Sequence, residues 1–207
     1  MIRVLIADDH PLVREGLKQI LAAESGIEVA AEAPDGDAAL KLVRAGDFDV
    51  ALLDMSMPGL SGIDLVKRLK LEKPGLKLLV LSMHGERQYA ARALKAGASG
   101  YLTKDGPPAQ LVGAIRKVAA GGVHVSEAAA AELIGAAAGD GLPHTHLSDR
   151  EFEVFKLLAG GASPTEIGRK LSLSVKTVST HKTRVLEKLG VGSTAELVRY
   201  ALENRLL

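Results

Sequence analysis

The stretch VALLDMSMPG, residues 50–59, decides the fold, because it joins an apolar run to a single carboxylate and a Met-Pro-Gly break. Uninterrupted apolar residues are typical of a strand whose two faces are both covered in a parallel sheet. Such sheets bind ligands just beyond the carboxyl ends of their strands, and Asp54 stands at that position. For a carboxylate considered alone, capping a strand before a turn is the simpler explanation. The rest of the chain decides between these two interpretations.

Apolar strand-like runs alternate with amphipathic helical runs through the first part of the chain. The predicted strands are 2–7, 27–33, 49–54, 77–82 and 99–103, and the predicted helices are roughly 11–23, 36–45, 62–72, 86–96 and 107–120. Pro11, Asp35 and Ser61 suit helix starts, and Gly46 and Gly97 follow helices where a left-handed residue is wanted. Five strand-helix units indicate an α/β fold with an open, doubly wound parallel sheet over residues 1–122.

The pattern changes near residue 121, where an Ala-rich stretch is followed by Gly, Asp and Pro. We interpret residues 123–147 as a linker with a short helix at about 127–137, flexible from 139 to 147. His144 and His146 resemble a metal pair, but a mobile segment without a third ligand predicts that both are solvated.

Residues 148–207 contain four helical segments with explicit start signals. Capping boxes are predicted at three of the starts, and Ser174 opens the third segment; the boxes are Ser148 with Glu151, Ser163 with Glu166, and Ser193 with Glu196. Only Ser172 and Leu173 separate the second segment from the third. Two short helices joined by so tight a turn indicate a small all-α domain with a helix-turn-helix.

The third segment of this domain has one apolar side and one side of hydroxyls and cations. The side predicted to pack comprises Val175, Val178, Val185, Leu186 and Leu189. The residues predicted to contact DNA are Lys176, Thr177, Ser179, Thr180, His181, Thr183, Arg184 and Lys188. Such groups contact phosphates and base edges in the major groove, although a solvated helix face alone would look the same.

Composition is consistent with a globular protein that binds nucleic acid through one end. Of 207 residues, 47% are hydrophobic and none is cysteine, which excludes disulfides and thiolate sites. The net charge of +1 divides into about −2 for residues 1–147 and about +3 for residues 148–207. We find neither a signal peptide nor a membrane-spanning run, so we expect a cytoplasmic protein without membrane contact.

Three carboxylates are expected to converge at one edge of the predicted sheet. Asp8 and Asp9 follow the first strand and Asp54 ends the third, and neighbouring strand ends meet at the switch point of a doubly wound sheet. Because like charges repel, such a cluster calls for a hard cation such as Mg²⁺. Ser82 and Lys104 end the next two strands, so the set suits a tetrahedral anion and phosphoryl transfer to a carboxylate.

These motifs together resemble the response regulators of the NarL/FixJ type, a receiver domain followed by a LuxR-type helix-turn-helix domain. The matching stretches are IADDHPLVREGL, LLDMSMPGLSGIDL, LSMH, GASGYLTKD and LSDREFEVFKLLAGGASPTEIGRKLSLSVKTVSTHKTRVLEKLGV, which extend over nearly the whole chain. The resemblance implies a flavodoxin-like strand order of 2-1-3-4-5. It also implies a two-component system in which a sensor histidine kinase phosphorylates Asp54.

The resemblance assigns further roles to matching positions. Asp8, Asp9, Asp54 and the backbone carbonyl of Ser56 would hold Mg²⁺ or Mn²⁺. Ser82 and Lys104 would bind phosphoryl oxygens, and Tyr101 would turn inward and carry the change to the surface. The last helix would pair two protomers on double-stranded promoter DNA, near the transcription machinery, through a stripe of Leu197, Val198, Ala201 and Leu202, which could equally be intradomain core.

Two alternatives to a phosphorylation-switched transcription regulator remain. One is a phosphohydrolase with Asp54 as nucleophile, but Ser56 stands where such enzymes usually carry a second acid, so we expect no turnover enzyme. Dephosphorylation of Asp54 by the chain itself is compatible with this. The other alternative is a regulator locked in one state, against which the complete acidic set argues.

Overall fold

The structure is a computed structural model that describes residues 1–57, 59–60, 62–82, 87–126, 142–204 and 206–207. The chain divides into two compact units, Met1–Glu132 and Leu133–Leu207. Among the described residues, no helix combines the length and the apolar character needed to cross a bilayer.

The first unit contains a five-stranded parallel sheet in the order β2-β1-β3-β4-β5. Its strands are β1 (Ile2–Ala7), β2 (Ile27–Ala33), β3 (Val50–Asp54), β4 (Lys77–Ser82) and β5 (Gly100–Thr103). The predicted order 2-1-3-4-5 is therefore confirmed. The order reverses beside β1, so the carboxyl ends of β1 and β3 are neighbours at the switch point.

Helices cover both faces of this sheet, which explains why its central strands are apolar at nearly every position. They are α1 (Pro11–Ala22), α2 (Gly36–Ala45), α3 (Gly62–Glu72), α4 (Arg87–Lys95) and α5 (Pro108–Ala119). Successive residues of β3 alternate between two buried clusters: Leu53 packs with residues of α2, α3 and α4, and Leu52 packs with residues of α1 and α5.

The predicted elements of this unit agree with the structure to within one residue at each described end. Asp35 caps α2 by accepting from the Ala38 amide at 2.7 Å, and Gly97 has φ of +107°, as predicted. The prediction for Gly46 was wrong, because its φ is −141° and the chain leaves α2 in an extended conformation. The predicted cap Ser61 lies outside the described residues, as does most of the predicted 123–147 linker, including its short helix.

The second unit comprises a short 3₁₀ helix (Pro143–His146) and the helices α6 (Asp149–Ala159), α7 (Pro164–Leu171), α8 (Val175–Leu189) and α9 (Thr194–Glu203). Ser148 and Ser163 each form the predicted capping box. Ser193 caps α9, but the Glu196 carboxylate accepts from the Gly192 amide at 2.7 Å rather than from Ser193, so the third box is incomplete.

A tight turn joins α7 to α8, as the sequence predicted. Ser172 adopts the left-handed conformation with φ of 55°, and the Leu173 amide bonds to the Gly168 carbonyl at 2.8 Å. A Cβ on Gly168 would lie 2.7 Å from the Leu173 carbonyl oxygen, closer than real Cβ atoms approach. Gly168 therefore allows the backbone of the turn to close onto α7.

The prediction that residues 139–147 form a flexible linker was wrong for 142–147. His144 is buried with 1% exposure, and its Nδ1 lies 2.8 Å from the Tyr200 hydroxyl oxygen in α9. The two rings also make an edge contact. This segment is part of the helical unit, because its apolar and aromatic contacts come from helices that follow it in sequence.

Candidate functional site

The register of β1 and β3 brings the predicted carboxylates together. Ala7 pairs with Leu53, so the next residues, Asp8 and Asp54, stand at the same level of the sheet edge. Both side chains are buried, with 1% and 3% exposure. Sequence reasoning therefore placed these two acids correctly, because parallel pairing aligns the strand ends.

Lys104 lies between these two buried acids. Its ammonium Nζ donates to Asp8 Oδ2 at 2.6 Å and lies 3.0 Å from Asp54 Oδ1. Burial raises the pKa of Asp54 and the nearby Asp8 charge adds to this, while Lys104 acts in the opposite direction. Burial lowers the pKa of Lys104, but its bonds to the two carboxylates raise it more. The lysine therefore keeps its charge and neutralises part of the cluster.

The acidic cluster has the donor set expected for a hard divalent cation. Asp8, Asp9, His10 and Asp54 each offer a ligand atom within 4.8 Å of the others. Asp9 Oδ1 is buried and accepts no hydrogen bond from the described residues, although His10 Nδ1 approaches it to 2.8 Å. A buried carboxylate oxygen without a donor fits a cation ligand. His10 was missed by sequence reasoning, although it directly follows the acidic pair.

The remaining predicted residues of this site occupy the neighbouring strand ends. Ser82 ends β4 and is 7% exposed, and the Ser82 carbonyl accepts from the Lys104 amide at 2.8 Å. The Ser56 amide bonds to the Asp54 carboxylate. The predicted use of the Ser56 carbonyl as a metal ligand stays a prediction.

Tyr101 is buried in β5 with 7% exposure and packs with residues of α3 and α4. Its amide donates to the His124 carbonyl at 2.9 Å, and the His124 amide donates to the Ser99 carbonyl at 3.0 Å. His124 thereby forms a parallel bridge with Gly100 at the edge of the sheet. The segment that leads out of the first unit is thus bonded to the strand that carries Tyr101.

In the second unit, the outward side of α8 carries most of the residues predicted to contact DNA. Seven of the eight are exposed, namely Lys176, Thr177, Ser179, Thr180, Thr183, Arg184 and Lys188, whereas Val178, Val185 and Leu189 are buried. Val175 was predicted to pack but is 48% exposed, because it stands at the first position of α8. The helix therefore has a polar surface of hydroxyls and cations and a packed side.

Two of the residues predicted to contact DNA have intradomain roles. The Lys188 ammonium donates to Glu151 Oε2 at 2.6 Å and to the His146 carbonyl at 3.3 Å, so it is not available as an unpaired cation. His181 is half-buried, and burial lowers its pKa. The sequence could not show either feature, because the contacts come from distant segments.

The predicted dimerisation stripe on α9 divides into two parts. Leu197 and Ala201 are fully buried inside the unit, so predicting them as interface residues was wrong. Leu202 is 62% exposed and Val198 is half-buried. The exposed part of the stripe is therefore centred on Leu202. Arg169 and Lys170, which end α7 beside the turn, are also exposed and were not singled out from the sequence.

Comparison with protein families matches each unit separately. Residues 4–116 match the family described as response regulator receiver domain. Residues 145–201 match the family described as bacterial regulatory proteins, luxR family. The second match begins at Thr145, which agrees with the inclusion of the 3₁₀ helix in the helical unit.

Relatives with known names match the chain over almost all of its length. It is 35% identical over 209 residues to the response regulator UvrY of Escherichia coli K12, covering 100% of this chain and 96% of UvrY. It is 39% identical over 214 residues to the oxygen regulatory protein NreC of Staphylococcus aureus MRSA252, covering 99% of each chain.

A solved structure matches both units. RcsB from Salmonella enterica serovar Typhimurium, bound to the promoter rprA in the presence of the phosphomimetic BeF3⁻, is 32% identical with a TM-score of 0.70. The match covers 96% of this chain and 97% of that chain.

Proposed function

The chain belongs to the NarL/FixJ-type response regulators, two-component transcription regulators with a receiver and a LuxR-type DNA-binding domain, and we propose that phosphorylation of Asp54 switches its DNA binding. The phosphoryl donor is a phosphohistidine of a sensor histidine kinase in the cytoplasm. The observation that carries this proposal is the buried Asp54 carboxylate, paired with Lys104 beside Asp8 at the switch point of the sheet. An ion pair needed only for stability would not require three acids and a lysine at this edge.

The transfer is a single displacement at phosphorus. An Asp54 carboxylate oxygen forms a bond to the phosphorus while the bond to the donor histidine nitrogen breaks, and the imidazole leaves with the bonding electron pair. Lys104 moves from the two carboxylates to the incoming phosphoryl oxygens, and the Ser82 hydroxyl donates to another of them. Burial raises the pKa of Asp54, and the Lys104 ammonium opposes this by favouring the ionised carboxylate that acts as the nucleophile.

The acidic cluster would hold Mg²⁺ or Mn²⁺ through Asp8, Asp9, Asp54 and the Ser56 carbonyl. When bound, the ion neutralises the charge of the carboxylates and of the transferred group. The buried Asp9 Oδ1, which accepts no hydrogen bond from the described residues, supports this assignment. Hydrolysis of the acyl phosphate by water, without turnover of further substrate, returns Asp54 to its free form.

The acyl phosphate carries about 1.5 to 2 negative charges, against one for the free Asp54 carboxylate, so phosphorylation adds up to about one negative charge at a buried edge of the sheet. Ser82 and Tyr101 respond to this charge, and Tyr101 is hydrogen-bonded through its amide to His124 in the segment leading out of the receiver. We infer that this connection carries the change towards the DNA-binding domain. The switch then selects between conformations that differ in dimerisation and DNA affinity.

DNA binding is assigned to the outward side of α8, with Arg169 and Lys170 as additional cations beside the turn. The active form is a homodimer paired through the exposed part of α9, and it acts with the transcription machinery at promoters. Replacing Leu202 with Glu should leave the fold intact and prevent pairing on DNA, which analytical ultracentrifugation of the protein-DNA complex measures. A dimer of unchanged strength would contradict the assignment of this surface.

The first experiment measures mass and DNA affinity with and without acetyl phosphate and Mg²⁺. Wild type should gain one phosphoryl group and bind promoter DNA more tightly, whereas Asp54→Asn should do neither. Asp64→Asn, at an exposed position of α3, is the matched control and should behave as wild type. Phosphorylation of Asp54→Asn would overturn the site assignment. Turnover beyond one equivalent per chain would favour a phosphohydrolase, and phosphorylation without any change in DNA affinity would favour a locked regulator.

A further inference from the structure

The hydroxyl groups on the outward side of α8 use their protons within the helix. Ser179 Oγ donates to the Val175 carbonyl at 2.9 Å, Thr180 Oγ1 donates to the Lys176 carbonyl at 3.1 Å, and Thr183 Oγ1 donates to the Ser179 carbonyl at 3.1 Å. Each of the three hydroxyl residues is exposed. What they present outwards is therefore oxygen lone pairs and, for the two threonines, methyl groups.

The fourth hydroxyl of this surface is used in the helix cap. Thr177 Oγ1 lies 2.7 Å from Ser174 Oγ, which also accepts from the Thr177 amide at 3.0 Å. This leaves Thr180 and Thr183, three residues apart and hence on adjacent turns of one face, as the central uncharged pair. Val175, 48% exposed at the start of the helix, adds a further apolar group.

Base edges in the major groove differ in the groups that they offer to such a surface. Guanine presents two acceptors, N7 and O6, which a hydroxyl oxygen without a free proton cannot satisfy. Adenine presents the N6 amino donor, and thymine presents a methyl group beside its O4 acceptor. An A·T pair therefore supplies both a donor for an oxygen lone pair and a methyl for an apolar contact.

We propose that Thr180 and Thr183 read A·T pairs, with each Oγ1 accepting from an adenine amino group and each threonine methyl contacting a thymine methyl. The inference rests on the proposed DNA binding and adds the chemical class of sequence that α8 selects. Lys176 and Arg184, which form no ion pair with the described residues, contact phosphates or guanine, so any guanine in the site lies opposite these cations.

The test first selects a binding site from a random pool of duplex DNA, using the full chain with beryllofluoride and Mg²⁺. Duplexes of the selected sequence are then made with one adenine replaced by a purine that lacks the 6-amino group, or one thymine replaced by uracil. Binding is measured for wild type, for Thr183→Val, which keeps the methyl and loses the acceptor, and for Thr183→Ser, which does the reverse. The same pair of variants is made at Thr180, and circular dichroism checks that each variant is folded.

For wild type, each analogue at a contacted position should weaken binding by about fivefold, the effect of one net contact. Thr183→Val should become insensitive to loss of the adenine amino group and stay sensitive to uracil, whereas Thr183→Ser should show the opposite pattern. The same analogues at a flanking position control for altered base pairing. Equal responses in wild type and both variants, or guanine selected opposite these threonines, would overturn the proposal.

The outcome separates this inference from the function on which it rests. If no sequence is enriched from the pool, the proposed switch to DNA binding fails and the assignment of Thr180 and Thr183 fails with it. The other outcome is that a sequence is enriched and bound while the Val and Ser variants respond to the two base analogues in the same way. In that case the DNA-binding function stands and the A·T reading is wrong.

Discussion

Replacing Lys188 with Ala tests whether this residue stabilises the DNA-binding domain or contacts DNA. The side chain belongs to the polar side of α8, yet its ammonium lies 2.6 Å from Glu151 Oε2 in α6. Glu151 is buried, with 5% of its side chain exposed, whereas Lys188 is 41% exposed. The variant therefore leaves a buried carboxylate without its cation.

The magnitude follows from this partial exposure. Removing one partner of a fully buried pair costs roughly 3–5 kcal/mol, and an exposed pair contributes about 0–1 kcal/mol. Solvent screens the Lys188 charge, and Glu151 retains the bond from the Ser148 amide at 2.8 Å. We therefore expect Lys188→Ala to lower the free energy of unfolding of this domain by roughly 1–2 kcal/mol.

Peptide-resolved hydrogen exchange on the full chain measures this effect. Amides of α6 and α8 should exchange about 5- to 30-fold faster, the factor that corresponds to such a change. Lys176→Ala is the matched control, since Lys176 is exposed on the same helix without an ion-pair partner among the described residues. The control should leave exchange unchanged but reduce the slope of log affinity against log salt by about 1, as expected for one lost phosphate contact.

The pH dependence provides a second readout. Burial acts to raise the pKa of Glu151, but Lys188 and the Ser148 bonds together hold it below its ordinary value of 4.5. A carboxyl with a lowered pKa in the folded state stabilises the domain above pH 4.5, and this stabilisation is lost as the pH falls through the folded-state pKa. The difference between wild type and Lys188→Ala should shrink over that interval. If Lys188→Ala leaves exchange unchanged at neutral pH and flattens the salt dependence as Lys176→Ala does, the structural role is refuted.

Two other substitutions probe the architecture of the DNA-binding domain. Gly168→Ala places a Cβ 2.7 Å from the Leu173 carbonyl, so we expect a loss of roughly 1–3 kcal/mol in stability and weaker DNA binding, measured by thermal unfolding and fluorescence anisotropy. Unchanged values for both would mean that the turn has room for a side chain. Tyr200→Phe removes the hydroxyl 2.8 Å from the buried His144 imidazole, and we expect a cost of roughly 1–3 kcal/mol and faster exchange in residues 142–147. Protection equal to wild type would show that this hydrogen bond does not anchor the segment.

Local patterns predicted the elements of both units well. A parallel sheet covered on both faces makes its central strands apolar at every position, so the run before Asp54 could be recognised without its partners. Ser148 and Ser163 act within one helical turn, and a capping interaction of that range depends on residues that lie side by side in sequence. The predicted sheet also allowed the acidic site to be predicted, because the carboxyl ends of neighbouring strands meet at the switch point of a doubly wound sheet.

Two further predictions failed because they depended on which distant residues a side chain contacts. The periodicity of α9 identified an apolar stripe, but it could not tell that Leu197 and Ala201 contact their own domain while Leu202 is exposed. His144 was interpreted as solvated because it falls in a segment predicted to be a mobile linker without a third metal ligand. Its actual neighbour is Tyr200, 56 residues further along the chain.

The sequence by itself therefore determined the succession of strands and helices along the chain, the division into an α/β domain and a helical domain, and the position of the carboxylates at the strand ends. These features depend on hydrophobic periodicity, capping and motif spacing, all of which act between residues close in sequence or between strand ends aligned by the sheet. Only the tertiary structure decided that Lys188 pairs with Glu151 and that the buried Asp9 Oδ1 accepts no hydrogen bond from the described residues. Burial and charge pairing depend on which distant segments pack together. The hydrophobic periodicity of a single helix or strand shows which of its sides is apolar, but it does not identify the segment that packs against that side.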